Sequence, residues 1–381
     1  MNTVYLDNAA TTAVRPEVIA AIAESLLTNY GNPSSVYGVG RQAKSSLELA
    51  RKSIAKKLHV SSQEIIFCSG GTEADNWALT EAVKTLNVKR IISARTEHHA
   101  VLHTLDHLKK EFGVEVEYVK LRKNGSVDIS HLSELLSDAK KTLVSLMHVN
   151  NETGSMIDIA LVGKICKQYN AYFHSDTVQS IGKMDLNFSE IDIDFFAASA
   201  HKFHGPKGVG FLFVRKGTVI NPMIYGGAQE KGLRAGTESV HNIIGMAKAL
   251  EMNFDNLTEE MKHISELKTY AFEKLVTKFP GTQINGESNP VNGNFETFPT
   301  ILNVRLPIPA DKASMLLFSL DMKGIAVSRG SACQSGSIKP SHVLAEILDE
   351  VELKKPSLRI SFSFENTKEE VDLLIGALQE I

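Results

Sequence analysis

Lysine 202 stands in company that suits chemistry. It belongs to the run DFFAASAHKFHGPKGVG, residues 194–210, where apolar residues such as Phe195 and Phe196 give way to the polar turn Ser199-Ala200-His201-Lys202. A lysine just past a strand end, beside hydroxyl and imidazole donors, is placed to reach into a site. Its amine forms a Schiff base with a carbonyl when surrounding groups hold it partly neutral. The plain alternative is a surface lysine in a polar turn, and its companions elsewhere in the chain weigh against that.

Cys68-Ser69-Gly70-Gly71-Thr72-Glu73 reads as a strand end followed by a helix start. Glycines such as Gly71 let the backbone approach an anion, and first-turn amides have no helical acceptor. A phosphate-binding turn with a hydroxyl from Thr72 is expected, unless the glycines merely connect strand to helix. No Gly-Lys-Ser/Thr follows, so it is not a P-loop. His174-Ser175-Asp176-Thr177-Val178-Gln179 follows another apolar run. Asp176 there can bond a protonated ring nitrogen or simply cap a helix. Gln179, one helical turn on if the chain winds, is within reach of a phenolic oxygen.

Thr96-Glu97-His98-His99 marks a third strand-to-helix junction. An imidazole there can stack on a flat cofactor and move protons near neutral pH. His99, His103 and His107 share a helical face, but without HExxH or a nearby cysteine pair they read as a solvated face rather than zinc ligands. No metal site is expected. Cys333 lies in Ser-Arg-Gly-Ser-Ala-Cys-Gln-Ser-Gly-Ser, residues 328–337, a small and polar segment that would leave a thiol available as a nucleophile. An incidental surface cysteine is the alternative. Cys68 and Cys166 fall in apolar or amphipathic contexts and read as core fillers.

Positioning such groups takes a framework, and the pattern supplies one. Residues 64–67, 90–93, 114–120, 142–148, 171–174, 193–198 and 209–214 read as strands, with amphipathic helices at 73–86, 100–112 and 159–169 between them. This alternation predicts an α/β fold with a mainly parallel sheet covered on both faces, and ligands in such sheets sit beyond the carboxyl ends of strands. Past residue 240 the pattern turns to long helices at 239–253 and 258–279. Fewer strands follow, at 300–305, 325–328 and 358–363, before a closing helix at 368–379. That half reads as a smaller α+β domain with a loop at 285–299.

The chain has 381 residues, 43% hydrophobic, and a net charge of −3 with both signs spread along it. That is enough for a large core and two domains, with no basic block for nucleic acid and no polybasic helix for a membrane surface. The opening MNTVYLDNAATT has no cationic and apolar leader pattern, so no signal peptide is expected. Three cysteines make no disulfide framework. A soluble cytoplasmic protein is the expectation.

Lysine, phosphate turn, ring-nitrogen carboxylate and stacking histidine are together the parts needed to hold pyridoxal 5′-phosphate. The chain resembles the cysteine desulfurases, the NifS/IscS-type class of fold-type-I pyridoxal-phosphate enzymes in the aminotransferase class V family. The resemblance runs end to end, through YLDNAATT, GNPSS, SGGTEADN, TEHHAV, HVNNETG, SDTVQS, SAHKFHGPKG, RAGTES, SRGSACQSG and LRIS. It implies a large cofactor-binding domain over residues 15–255 and a small domain from 1–14 and 256–381 that carries the cysteine loop.

By this resemblance, Lys202 is the Schiff-base lysine and His98 stacks on the ring. Asp176 pairs with the ring nitrogen, and Gln179 bonds the phenolate oxygen. The phosphate is held by Gly71, Thr72, Ser199 and His201, with Thr237 reaching across from the other subunit of a homodimer. Asn151 and Arg359 take the substrate carboxylate, and Cys333 accepts sulfur. The implied reaction turns L-cysteine into L-alanine and leaves a persulfide on Cys333, for delivery to an acceptor such as an iron–sulfur scaffold protein. The family usually has a small residue where this chain has Arg329. That cation is expected to favour the thiolate, to recruit an acidic partner, or simply to face solvent. A selenocysteine lyase or aminotransferase on the same scaffold is the nearest rival, and a non-catalytic cofactor-binding protein the next. Retention of Lys202 and Cys333 disfavours both.

Overall fold

Short runs of β-branched and aromatic residues alternate with amphipathic stretches, and each kind of segment takes the structure its period favours. The computed structural model describes residues 3–287, 295–309, 315–329 and 340–380. In chain order the first half holds β1 (Val4–Tyr5), α1 (Pro16–Thr28), α2 (Gly38–Lys57), β2 (Ile65–Cys68), α3 (Gly71–Lys84), β3 (Arg90–Ser93), α4 (His99–Phe112) and β4 (Glu115–Tyr118). Then come α5 (Ile129–Leu136), β5 (Thr142–Ser145), α6 (Ile159–Gln168), β6 (Tyr172–Asp176), β7 (Phe195–Ser199) and β8 (Gly210–Val214). The remainder is α7 (Val240–Asp255), α8 (Leu257–Lys278), β9 (Gln283–Ile284), β10 (Ile301–Arg305), α9 (Leu316–Met322), β11 (Ile325–Ala326), α10 (His342–Ala345), α11 (Glu350–Leu353), β12 (Ser357–Ser361) and α12 (Lys368–Gln379).

Seven strands form one sheet in the order β2-β8-β7-β6-β5-β3-β4. The pairs from β7 through β4 are parallel, and β8 runs antiparallel to both β7 and β2. Two reversals restore the direction, so β2 points the same way as β6 and β7. The carboxyl ends of these three strands therefore meet at one edge, and the polar junctions at Gly71, Asp176 and Ser199 meet with them.

Phe173, Phe196, Phe211 and Phe213 fill one face of the sheet together with α2 and α7. Trp77, Phe195 and Leu212 fill the other, against α3. Both faces being covered explains why these strands read as continuous apolar runs rather than alternating ones. A separate core gathers Val4 and Leu6 with Leu302, Val304, Leu358 and Ile360, packed on residues of α8 and α12. Here β10 pairs antiparallel with β12 and with β9, while β1 lies parallel to β11. Among the described residues, no helix is long and apolar enough to cross a membrane.

Some elements depart from the sequence reading. Helices α1, α2 and α5 were not anticipated. The buried stripe of α2 is built largely of Ala43, Ala50 and Ala55, whose small side chains give a weak periodic signal. No helix follows Asp176, since residues 177–183 form turns, so its carboxylate caps no helix. It bonds the Val178 amide at 2.9 Å instead, as a tight side-chain turn.

Candidate active site

Lys202 ends a short 3₁₀ turn, Ala200–Lys202, that leaves β7 directly. Its Nζ donates to the carbonyls of Ala9 and Ala10, at 2.7 and 2.8 Å. The amine is thus held at the cavity wall by the N-terminal segment, 192 and 193 residues away in sequence. Gln179 leans on the same segment, with Nε2 donating to the Ala9 carbonyl at 2.9 Å. His201 shares a 3.1 Å hydrogen bond with Thr11 Oγ1.

Around Lys202 opens a cavity of about 500 Å³, bordered by Gly71, Thr72, His98, Asn151, Asp176, Gln179, Ser199, His201 and Arg359. Ten of the twelve expected site residues, Lys202 included, therefore share one cavity. Thr237 is not among them. It borders a neighbouring cavity of about 200 Å³ with Ser69 and Gly208. Within one chain it does not reach the main cavity, in keeping with its expected service to another subunit. Cys333 lies outside the described residues. Arg329 is exposed to solvent, and Cys68 and Cys166 are buried and free.

The phosphate side is built by α3. Gly70 precedes the helix with φ +153°, a backbone few other residues adopt, and a Cβ there would meet Ser199 Oγ at 3.3 Å. A Cβ larger than hydrogen at Gly71 would sit 2.6 Å from Val178 Cγ2. The start of α3 borders the cavity together with Thr72, Ser199 and His201, so its first-turn amides join a set of donors of the kind an anion requires. Burial, with Lys202, Lys207 and Lys183 nearby, pulls the His201 imidazole down to about 4.

Asp75 and Asp176 also border the cavity. Burial pushes the Asp176 carboxyl up, opposed by His98 and Lys202. Asp75 and Glu97 sit well above the ordinary carboxylate range, again by burial first and then by the charge on Asp176. His174 shares the face of β6 with Asp176, lies 3.3 Å from Asp75 Oδ1, and is pulled down to about 3 by burial. His98 caps α4 by accepting the Ala100 amide on Nδ1 at 3.1 Å. Burial holds its ring below the usual histidine value, so the neutral ring carries its proton on Nε2. His99 departs from the solvated face expected of it. It is half-buried, stacked on His103 at 4.9 Å and against His342 at 4.4 Å, whereas His103 and His107 are exposed.

These residues suit pyridoxal 5′-phosphate on structural grounds. A set of phosphate donors, a buried carboxyl and an imidazole border the same cavity. Gln179 Oε1 is buried without a hydrogen-bond partner, as an interior made to receive a polar ligand leaves it.

The matched family model, aminotransferase class-V, spans residues 4–374. A cysteine desulfurase IscS of Dictyoglomus turgidum is 40% identical over 381 residues, covering 99% of this chain and 94% of its own length. One from Methanosarcina thermophila is also 40% identical, over 99% of this chain and 91% of its own. The chain belongs to the aminotransferase class-V family, in its NifS/IscS-type group. Among solved structures, a NifS-like protein superposes with a TM-score of 0.89 at 37% identity, over 99% of this chain and 98% of its own. A NifS-like protein from Rickettsia africae gives 0.87 at 34%, over 100% and 99%. SspA in complex with cysteine gives 0.79 at 29%, over 95% and 99%. The NifS/IscS-type assignment accounts for the mainly parallel sheet and for the clustering of polar junctions at one edge.

Sequence reasoning missed the backbone's part in this site. Ala9, Ala10 and Thr11 border the cavity alongside Ser69, Glu73, Asp75, Met147, Val178 and Lys207. The run YLDNAATT was noticed, but carbonyl oxygens leave no trace in side-chain identity. Asp75 had a visible signal, an acid one turn into a helix that otherwise packs Ala74, Trp77 and Ala78.

Proposed function

We infer that this protein is a pyridoxal-phosphate-dependent cysteine desulfurase that converts L-cysteine and the Cys333 thiol into L-alanine and a Cys333 persulfide. The observation that carries the reading is convergence: Lys202, Asp176, His98, Thr72, Ser199 and Arg359 come from five separate stretches of chain and border one cavity. A 40% identical relative aligned over nearly the whole chain supports the same reaction class.

Thr72, Ser199, His201 and the first-turn amides after Gly70 would hold the phosphate. Asp176 would hold the ring nitrogen, Gln179 the phenolic oxygen, and His98 one face of the ring. When bound, the cofactor supplies the electron sink that makes loss of the substrate's Cα proton accessible. The rest falls to the protein. Arg359 and Asn151 take the substrate carboxylate, and a guanidinium suits that task through its planar fork of donors. Lys202 Nζ, anchored at the cavity wall by two carbonyls, is the group that lifts and returns the proton at Cα. His98, neutral with its proton on Nε2, donates or accepts beside it. Cys333 attacks the substrate sulfur as a thiolate, so the S–S bond forms while the Cβ–S bond breaks.

The division of labour extends to the whole chain. Residues 15–255 form the cofactor domain, and 1–14 with 256–381 form the smaller one, a division supported by the separate core of Val4, Leu6 and the C-terminal strands. Two chains form a homodimer in which Thr237 of each completes the phosphate site of the other. A cytoplasmic setting keeps Cys333 reduced, and an acceptor protein such as an iron–sulfur scaffold removes the persulfide sulfur.

The test is stoichiometric. Purified protein given pyridoxal phosphate, L-cysteine and a thiol reductant releases alanine and sulfide in equal amounts. Pyruvate or ammonia in place of alanine, or no release at all, contradicts the reading.

A further inference from the structure

The guanidinium of Arg359 is 1% exposed and borders the active-site cavity. A buried cation is strongly disfavoured unless a charge and good hydrogen bonds accompany it. Here Nη2 donates to Asp7 Oδ1 at 2.7 Å and Nη1 to the Asn151 carbonyl at 2.8 Å. Nε is buried too, yet has no hydrogen-bond partner. A guanidinium has five N–H bonds, so these two contacts leave three for a further acceptor.

Asp7 is held firmly enough to orient what it touches. Tyr5 Oη donates to the carbonyls of Asp7 and Thr11, at 3.1 and 2.8 Å. Asp7 bridges Ser361, two residues beyond Arg359 on β12. On either side of it, the Leu6 amide donates to Ala326 and Asn8 Nδ2 donates to Ser361. The carboxylate is thus presented from a strand segment locked between β11 and β12. It is not part of the cavity wall, so it acts on Arg359 from behind.

We propose that Asp7 is a positioning residue for substrate binding: it supplies the counter-charge and fixes the plane of Arg359, leaving the guanidinium's unengaged N–H bonds for the carboxylate of the amino-acid substrate. The proposal rests on Arg359 taking that carboxylate, as read above. Without Asp7 the guanidinium has to seek another acceptor and turns away from its orientation. Ligands with a free carboxylate then suffer, and ligands without one do not. Asparagine at position 7 keeps an acceptor oxygen in place and restores part of the loss. The opposite role, a carboxylate that competes with substrate for Arg359, predicts tighter binding once Asp7 is gone.

The experiment compares the unsubstituted enzyme with Asp7→Asn and Asp7→Ala, measuring kcat and KM for L-cysteine and the inhibition constant of L-cysteine methyl ester against it. Asp7→Ala is expected to raise KM for L-cysteine about 20-fold with kcat held within about 3-fold, and to move the ester constant by less than about 3-fold. Asp7→Asn falls between. An equal rise for acid and ester, an unchanged KM, or a KM that drops overturns the assignment. Should the unsubstituted protein release no alanine, the functional reading fails by itself, and thermal unfolding decides the pair. Asp7→Ala then lowers Tm by leaving the guanidinium uncompensated, and adding Arg359→Met recovers part of the loss. Strictly additive losses overturn the pairing.

Discussion

Lys202, Asp176 and His98 do different work because their surroundings differ. Lys202 reaches the cavity while leaning on two backbone carbonyls. Its replacement by alanine should lower alanine release at least about 1,000-fold without unfolding the protein, as circular dichroism would verify. Full activity in that variant contradicts its assignment. Asp176→Asn keeps shape and loses charge, so kcat should fall at least about 100-fold in the same assay while the protein still binds cofactor. Buried histidines bear on stability instead. His148 is 3% exposed, shares a 2.9 Å hydrogen bond with Ser180 Oγ, and is pulled from 6.5 to about 4 by burial. Its folded form resists the proton that the unfolded chain accepts. The stability it contributes is full above pH 6.5 and is lost as pH falls toward 4. Urea unfolding at pH 7 and at pH 4.5 should show His148→Gln losing less stability on acidification than the unsubstituted protein. The gap approaches about 3 kcal/mol when the full shift is traversed at about 1.4 kcal/mol per pH unit. An equal acid loss in both proteins rules out a neutral buried His148.

At the scale of elements, the close approach of α3 to the turn after β6 shapes the phosphate cradle. Gly71→Ala places a Cβ 2.6 Å from Val178 Cγ2, and overpacking of that kind costs about 1–3 kcal/mol. Denaturant melts should show that loss, and Val178→Ala in the same chain should restore most of it. No restoration would mean that α3 shifts for another reason. The elements also explain what was legible. β3 and α12 were readable to the residue, because an Ile91-Ile92 pair between polar ends and a Thr367–Glu370 capping box mark their limits. α2 was hidden, since alanines fill its buried face and a glycine opens it. The reversed direction of β8 was within reach. Ten residues separate Ser199 from Gly210, too few for a helical crossover between parallel neighbours.

For the whole molecule, the chain's first dozen residues matter out of proportion to their length. They add β1 to the second core, carry Asp7 to Arg359, and bring Ala9 and Ala10 to Lys202. No side-chain pattern announced this, because the Lys202 contacts use carbonyls and the Asp7–Arg359 pair spans nearly the entire sequence. The candidate site was otherwise legible wherever a polar side chain ended an apolar strand, as at Asp176 and Ser199. Thr237 borders a side cavity in its own chain, and its proposed service to a partner predicts complementation. Mixing Lys202→Ala with Thr237→Ala subunits under exchange conditions should restore part of the activity that neither shows alone, and none should return if each chain is self-sufficient. The most direct test of the account is the fate of sulfur. After brief exposure to L-cysteine without acceptor, mass spectrometry of the intact enzyme and its peptides should find one added sulfur on Cys333, with one alanine released per chain and neither in Cys333→Ser. Sulfur on Cys68 or Cys166, or undiminished alanine from Cys333→Ser, would contradict it.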